Sequence, residues 1–257
     1  MPEGPFDLTG KAAIVTGGTA GIGLAMATAL ADAGASVCVW GRSLERASEA
    51  VASLEGRGGP VASRIVDVTD EVAVVDAMRS SVDELGRLDA CFANAASLGA
   101  TSRSFVESTT EEFRSVIELV LDSVYVTMRE AARVLIDQGE GGSLVATSSL
   151  SANYGGYGNP AYASGKAAVI TLMKQLAVEL GRHRIRANTI QPAWFQTDMM
   201  AGIEDDSPLT KAVRSRQPQR RWADATELGA LAVYLAGDGS TWHSGDEFIV
   251  DGGYHAV

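Results

Sequence analysis

Short apolar runs alternate with longer stretches of helical periodicity from one end of the chain to the other. The runs 12–16, 36–40, 61–66, 88–93, 143–147, 185–190 and 248–250 are apolar and rich in β-branched residues. That pattern predicts strands covered on both faces rather than strands with one wet side. Between them, 21–33, 44–54, 71–85, 110–137, 161–180 and 225–235 read as helices. Strand and helix in regular alternation imply a parallel sheet with helical crossovers. Gly34, Gly86, Gly139 and Gly181 follow helical stretches and are expected to close them in the left-handed conformation. The segment 196–221 breaks the rhythm with polar residues, two prolines and the pair Met199 and Met200, and is expected to cover a substrate.

A chain of 257 residues with no linker or repeat is expected to be one domain. Its 21 Lys and Arg against 32 Asp and Glu leave a net charge of −11, which disfavours nucleic acid and anionic membranes as partners. No apolar run approaches the roughly 20 residues that span a bilayer, and the first ten residues lack the features of a signal peptide. A cytoplasmic location is the expectation. Cys38 and Cys91 sit in apolar runs assigned to non-adjacent strands and are expected to be buried, reduced thiols. His183, His243 and His255 are scattered, so no metal site is expected.

The turn Thr16-Gly17-Gly18-Thr19-Ala20-Gly21-Ile22-Gly23 follows the first strand and opens a helix, the context that a dinucleotide fingerprint requires. Its glycines allow a tight turn and close approach of the backbone to a pyrophosphate, whose charge suits the helix N-terminus. Gly17, Thr19, Gly21, Ile22 and Gly23 are therefore candidate cofactor contacts. Asp67 and Val68 end the third strand at the same edge, where the carboxylate can accept from an adenine amino group. The second strand ends Trp40-Gly41-Arg42-Ser43 with no acid at its tip. An acid there would hold the ribose hydroxyls and repel a 2′-phosphate, whereas Arg42, followed by Ser43, is placed to pair with one. NADP is preferred on this reading, with NAD possible.

Tyr162 and Lys166 are four residues apart on a predicted helix, and Ser149 lies thirteen positions upstream of the tyrosine at a strand end. The spacing puts phenol and ammonium on one face, where the cation is expected to lower the phenol's pKa from near 10. A phenol so tuned exchanges a proton with an alcohol or carbonyl oxygen.

Taken together, these residues resemble the short-chain dehydrogenase/reductase family from about Lys11 to Gly253. The resemblance is carried by Thr16-Gly17 to Gly23, Asp67, Asn94-Ala95, Ser149, Tyr162 with Lys166, Pro192 to Thr197, and Val250-Asp251-Gly252-Gly253. It implies a Rossmann fold with a doubly wound, seven-stranded parallel sheet in the order 3-2-1-4-5-6-7 and helices on both faces. It also implies Tyr162 as general acid/base, Ser149 fixing the reacting oxygen, and Lys166 lowering the Tyr162 pKa while holding the nicotinamide ribose. Asn94, Ala95, Pro192, Ala193, Phe195 and Thr197 are the remaining expected cofactor contacts, with Thr197 on the carboxamide. A homotetramer is implied, a dimer being the alternative. Its pairing helices would be 110–137 and 161–180, through Ala131, Ala132, Ala163, Ala167, Ala168 and Val169.

Three positions depart from the family pattern. Ala96 and Ala193 stand where glycine is usual, and Val120 stands where an asparagine normally continues the proton relay; Ser123, on the same helix face, is the candidate replacement. The expected reaction interconverts a ketone and a secondary alcohol by hydride exchange with C4 of the nicotinamide. Ser151, Asn153, Tyr154, Tyr157, Trp194, Met199 and Met200 are the expected pocket walls, suiting a hydrophobic cyclic or aromatic ketone. The alternatives are a non-catalytic NADP-binding regulator or scaffold, and reduction of a 3-oxoacyl thioester.

Overall fold

The computed structural model describes residues 4–98, 105–155, 158–197 and 207–257. The strands β1 (Ala12–Thr16), β2 (Ser36–Gly41), β3 (Val61–Ile65), β4 (Ala90–Ala93), β5 (Gly142–Thr147), β6 (Ile185–Pro192) and β7 (Glu247–Val250) form one parallel sheet. Their order is β3-β2-β1-β4-β5-β6-β7, as the sequence implies. The helices are α1 (Gly21–Asp32), α2 (Leu44–Leu54), α3 (Glu71–Leu85), α4 (Thr110–Ile117), α5 (Ser123–Gln138), α6 (Pro160–Leu180), α7 (Pro208–Arg216) and α8 (Gly229–Ala236). A two-residue strand pair, Phe195–Gln196 with Ala223–Asp224, stands apart from the main sheet.

Neighbouring strand residues send their side chains to opposite faces, and each face has its own apolar layer. Ile14, Cys91 and Leu144 meet Val74, Met78, Met128, Leu135, Val169 and Met173 from α3, α5 and α6. Val15, Phe92 and Val145, one residue on, meet Met26, Leu30, Leu54 and Leu235 from α1, α2 and α8. Cys38 and Cys91 flank Ile14 on either side at one level of the sheet. Two strand spacings of nearly 5 Å separate their backbones, beyond the reach of a disulfide. Burial raises both thiols, Cys91 to about 12. Among the described residues no group of three or more potential ligands could hold a metal ion, and no helix is long and apolar enough to cross a membrane.

Two local expectations are corrected. The helix expected over 110–137 is interrupted by a π-helical turn at Glu118–Asp122, where the Ser123 N–H reaches back five residues to the Glu118 carbonyl. Gly86 and Gly139 take the left-handed cap, but Gly181 has φ −54°. There α6 tightens into a 3-10 turn, Gly181–His183, and Arg184 (φ 60°) adopts the left-handed conformation instead.

Candidate active site

The strand order reverses between β1 and β4, opening a crevice beyond their carboxyl ends. The Thr16 hydroxyl fixes it by accepting from the Asn94 and Ala95 N–H groups at 3.0 and 3.1 Å. Asn94 in turn accepts from the Thr147 hydroxyl at 3.1 Å, linking β4 to β5. A cavity of about 590 Å³ runs from Arg42 and Asp67 at one end to Ser149, Tyr162 and Lys166 at the other. Gly17, Thr19, Gly21, Ile22, Ser43, Val68, Asn94, Ala95, Pro192, Ala193, Phe195 and Thr197 also border it.

The glycine turn fits a pyrophosphate. A Cβ on Gly23 would lie 2.1 Å from the Gly17 carbonyl, so the turn closes only around glycine. The N-cap of α1 is Ala20, which offers no side-chain cap, and no acid occupies the first turn. The helix therefore starts with N–H donors that its own side chains do not satisfy and a positive dipole end facing the cavity. Asp67 spends one oxygen on the Thr69 N–H and hydroxyl, at 3.0 and 2.7 Å; these bonds, with a smaller effect of Arg42, hold its carboxyl below the ordinary value. Capping of α3 falls to Asp70, whose side chain accepts from the Val72 and Ala73 N–H groups. Arg46, four residues beyond Arg42, borders the same end of the cavity. Sequence reasoning stopped at Arg42, which precedes the N-cap Ser43; Arg46 lies in the first turn of α2, and no spacing rule links the two.

At the opposite end, α6 begins with Asn159 as N-cap and Pro160 in its first turn. The Asn159 side chain accepts from the Tyr162 N–H and donates to the Leu98 carbonyl, at 3.2 and 2.8 Å. Tyr162 and Lys166 follow one turn apart, and the Ser148 hydroxyl ties β5 to the helix through the Lys166 carbonyl at 2.7 Å. Ser149 caps a 3-10 turn, its hydroxyl accepting from the Ser151 N–H at 3.1 Å, and borders the cavity together with Tyr162. Lys166 is only 1 % exposed; its Nζ donates to the Thr147 carbonyl at 2.7 Å and lies 5.7 Å from the Tyr162 ring centroid.

The electrostatics differ from expectation. Burial raises the Tyr162 phenol, opposed by the nearby Ser149 hydroxyl, with no contribution from Lys166. The lysine is perturbed as well: complete burial lowers it to about 8. With the ammonium turned to a carbonyl, desolvation outweighs attraction for both groups.

Val120 is fully buried in a small cluster with Val116 and Ala161, against which Ala96 and Tyr162 pack. It fills the notch left by Gly165, where a Cβ would lie 2.3 Å from Val120 Cγ2. The Ser123 hydroxyl donates to the Leu119 carbonyl at 2.5 Å within the π-helical turn, which commits its proton and leaves its lone pairs to accept. Gly165→Ala is expected to destabilise the protein by about 1–3 kcal/mol through overpacking. Adding Val120→Ala should recover most of that loss, read as paired shifts in urea midpoint.

The expected pocket walls are dispersed. The Tyr154 hydroxyl donates to the His255 carbonyl at 3.1 Å, and the Arg216 guanidinium lies 4.8 Å from the Tyr154 ring and 4.4 Å from that of Tyr254. Asn153 donates to Gln191 at 2.5 Å, Ser151 lies on the surface, and Trp194 packs edge-on against Trp222. Tyr157, Met199 and Met200 lie outside the described residues. The cavity that holds Ser149, Tyr162 and Lys166 is bordered instead by Ala96, Ser97 and Leu119, which sequence reasoning did not single out as pocket walls. No periodicity marks them, since they come from one loop and an irregular helical turn.

Residues 17–255 match the family model described as Enoyl-(Acyl carrier protein) reductase. Gluconate 5-dehydrogenase of Gluconobacter oxydans (strain 621H) is 31% identical over 249 residues, 96% of each chain. A short-chain type dehydrogenase/reductase from Mycobacterium marinum superposes with a TM-score of 0.93 at 32% identity, covering 98% of both chains. The NADPH-dependent 3-quinuclidinone reductase from Rhodotorula rubra gives a TM-score of 0.88 at 33% identity, covering 100% of this chain and 97% of that one. The chain belongs to the short-chain dehydrogenase/reductase family. It is an oxidoreductase acting on CH–OH groups with NAD(P).

Proposed function

We propose that the protein is an NADPH-dependent reductase of a hydrophobic cyclic or aromatic ketone, with Tyr162 as the proton donor. The observation that carries this reading is the partly buried Tyr162 beside Ser149 at one end of a cavity whose other end holds Arg42 and Arg46. A phenol raised by burial stays protonated near neutral pH, the form that carbonyl reduction consumes. Ser149 would orient the substrate oxygen toward it, and Lys166, which borders the same end of the cavity, would hold the nicotinamide ribose. The bound nicotinamide supplies the hydride, while the protein contributes position and electrostatics.

The apolar neighbours Ala96 and Leu119 favour a ketone without charged handles. Arg216, held between two tyrosine rings, is committed away from such a role. The relative from Rhodotorula rubra, described as acting on 3-quinuclidinone, is in keeping with a cyclic ketone. For NADP the support is the absence of an acid at the tip of β2 and the presence of two arginines there. Arg42→Asp is expected to weaken NADPH about ten- to a hundredfold relative to NADH, the worth of a charge-assisted contact. Equal weakening of both cofactors in a fluorescence titration would remove this assignment.

A homotetramer remains the proposed assembly, through a revised surface. Ala131, Ala132 and Val169 are buried in the chain's own core and cannot also meet a copy, whereas Ala163, Ala167 and Ala168 stay partly exposed on α6 and remain part of the proposed surface. Phe113 and Tyr125, exposed on α4 and α5, join them as candidates.

A further inference from the structure

We propose that Thr19 and Gly41 form a packed pair that excludes any side chain, and a carboxylate above all, from the ribose end of the cofactor site. The inference rests on the NADP reading above and supplies a second determinant beside Arg42.

Gly41 ends β2 about twenty residues after the glycine turn, where a dinucleotide-binding sheet places the acid that accepts from the ribose 2′-hydroxyl. A Cβ built on Gly41 would lie 2.6 Å from Thr19 Oγ1, 2.7 Å from Thr19 Cγ2 and 3.2 Å from Thr19 Cβ. Rotating the threonine does not relieve this. Its two heavy branches occupy two of three staggered positions, both against Gly41. Any other rotamer still leaves one of those positions filled. Nor can the backbones part freely, because the Gly18 N–H donates to the Trp40 carbonyl at 3.1 Å, next to both members of the pair. On its other side Gly41 accepts from the Val66 N–H at 2.9 Å, pinning the strand tip to the chain leaving β3. The missing acid is therefore a consequence of packing: the threonine in the turn fills the space that the acid would need.

The test is a double-mutant cycle of Thr19→Ala and Gly41→Asp, read as dissociation constants for NADPH and NADH and as unfolding temperature. Alone, Gly41→Asp should lower the unfolding temperature and weaken both cofactors. Made in the Thr19→Ala background, it should tighten NADH at least tenfold and weaken NADPH, reversing the preference. If Gly41→Asp changes the NADPH-to-NADH ratio by the same factor in both backgrounds, the pair is not a gate. Should Gly41→Asp not fold, Gly41→Ala carries the test by adding only the methyl group. It should lower the unfolding temperature, Thr19→Ala should restore it, and a Gly41→Ala protein as stable as the parent would overturn the proposal. The NADP reading is judged separately, on the unmutated protein: NADH binding as tightly as NADPH would refute it without touching the non-additivity of the cycle.

Discussion

Tyr162→Phe is expected to lower kcat for carbonyl reduction by about 10²–10⁴, the usual worth of a positioned acid/base, with a far smaller change in the dissociation constant for NADPH. The ring remains to pack against Val120 and Ala161, so the cavity keeps its shape while the transferable proton is lost. An interaction used only in the transition state lowers kcat and kcat/KM together. Retention of a tenth or more of the parent's turnover, with folding intact, would assign the proton to another group.

Lys166→Met should separate activity from stability. Complete burial lowers the lysine from 10.5 to about 8, so holding the ammonium in the fold costs on the order of 3 kcal/mol at neutral pH. The unfolded chain binds the extra proton between pH 8 and 10.5, and stability contributed by this group therefore rises with pH across that window. Methionine fills similar volume without charge, at the cost of leaving the Thr147 carbonyl without its donor, about 1–3 kcal/mol. The variant should thus be at least as stable as the parent at pH 7, lose that advantage toward pH 10.5, and turn over at least a hundredfold more slowly. Chemical unfolding of both proteins at several pH values reads the first two outcomes. A variant clearly less stable at pH 7 than at pH 10, relative to the parent, would show that the buried charge is well compensated.

Much of this arrangement is legible in the chain because it rests on local rules. Apolar runs such as Ala12–Thr16 must be strands covered on both faces, and the glycine turn can occur only where backbone meets backbone, as at Gly17 and Gly23. The pair Tyr162 and Lys166 follows from helical spacing alone. What the chain hides depends on three dimensions. The π-helical turn at Glu118–Asp122 has no composition signal. Tyr154 reads as a pocket wall until Arg216 and Tyr254, far away in sequence, draw it to the carboxyl terminus. The direction of the Tyr162 shift follows from burial and from Lys166 pointing at Thr147, neither of which spacing reveals. Gly41 reads as a missing acid, and only its distance to Thr19 explains why.

The most direct measurement is the absorbance at 340 nm of purified protein with NADPH or NADH and a panel of cyclic, aromatic and aliphatic ketones. Oxidation of NADPH with at least one cyclic or aromatic ketone, faster than with NADH and abolished in Tyr162→Phe, is the predicted result. Tight NADPH binding with no turnover across the panel, or turnover that survives Tyr162→Phe, would contradict it.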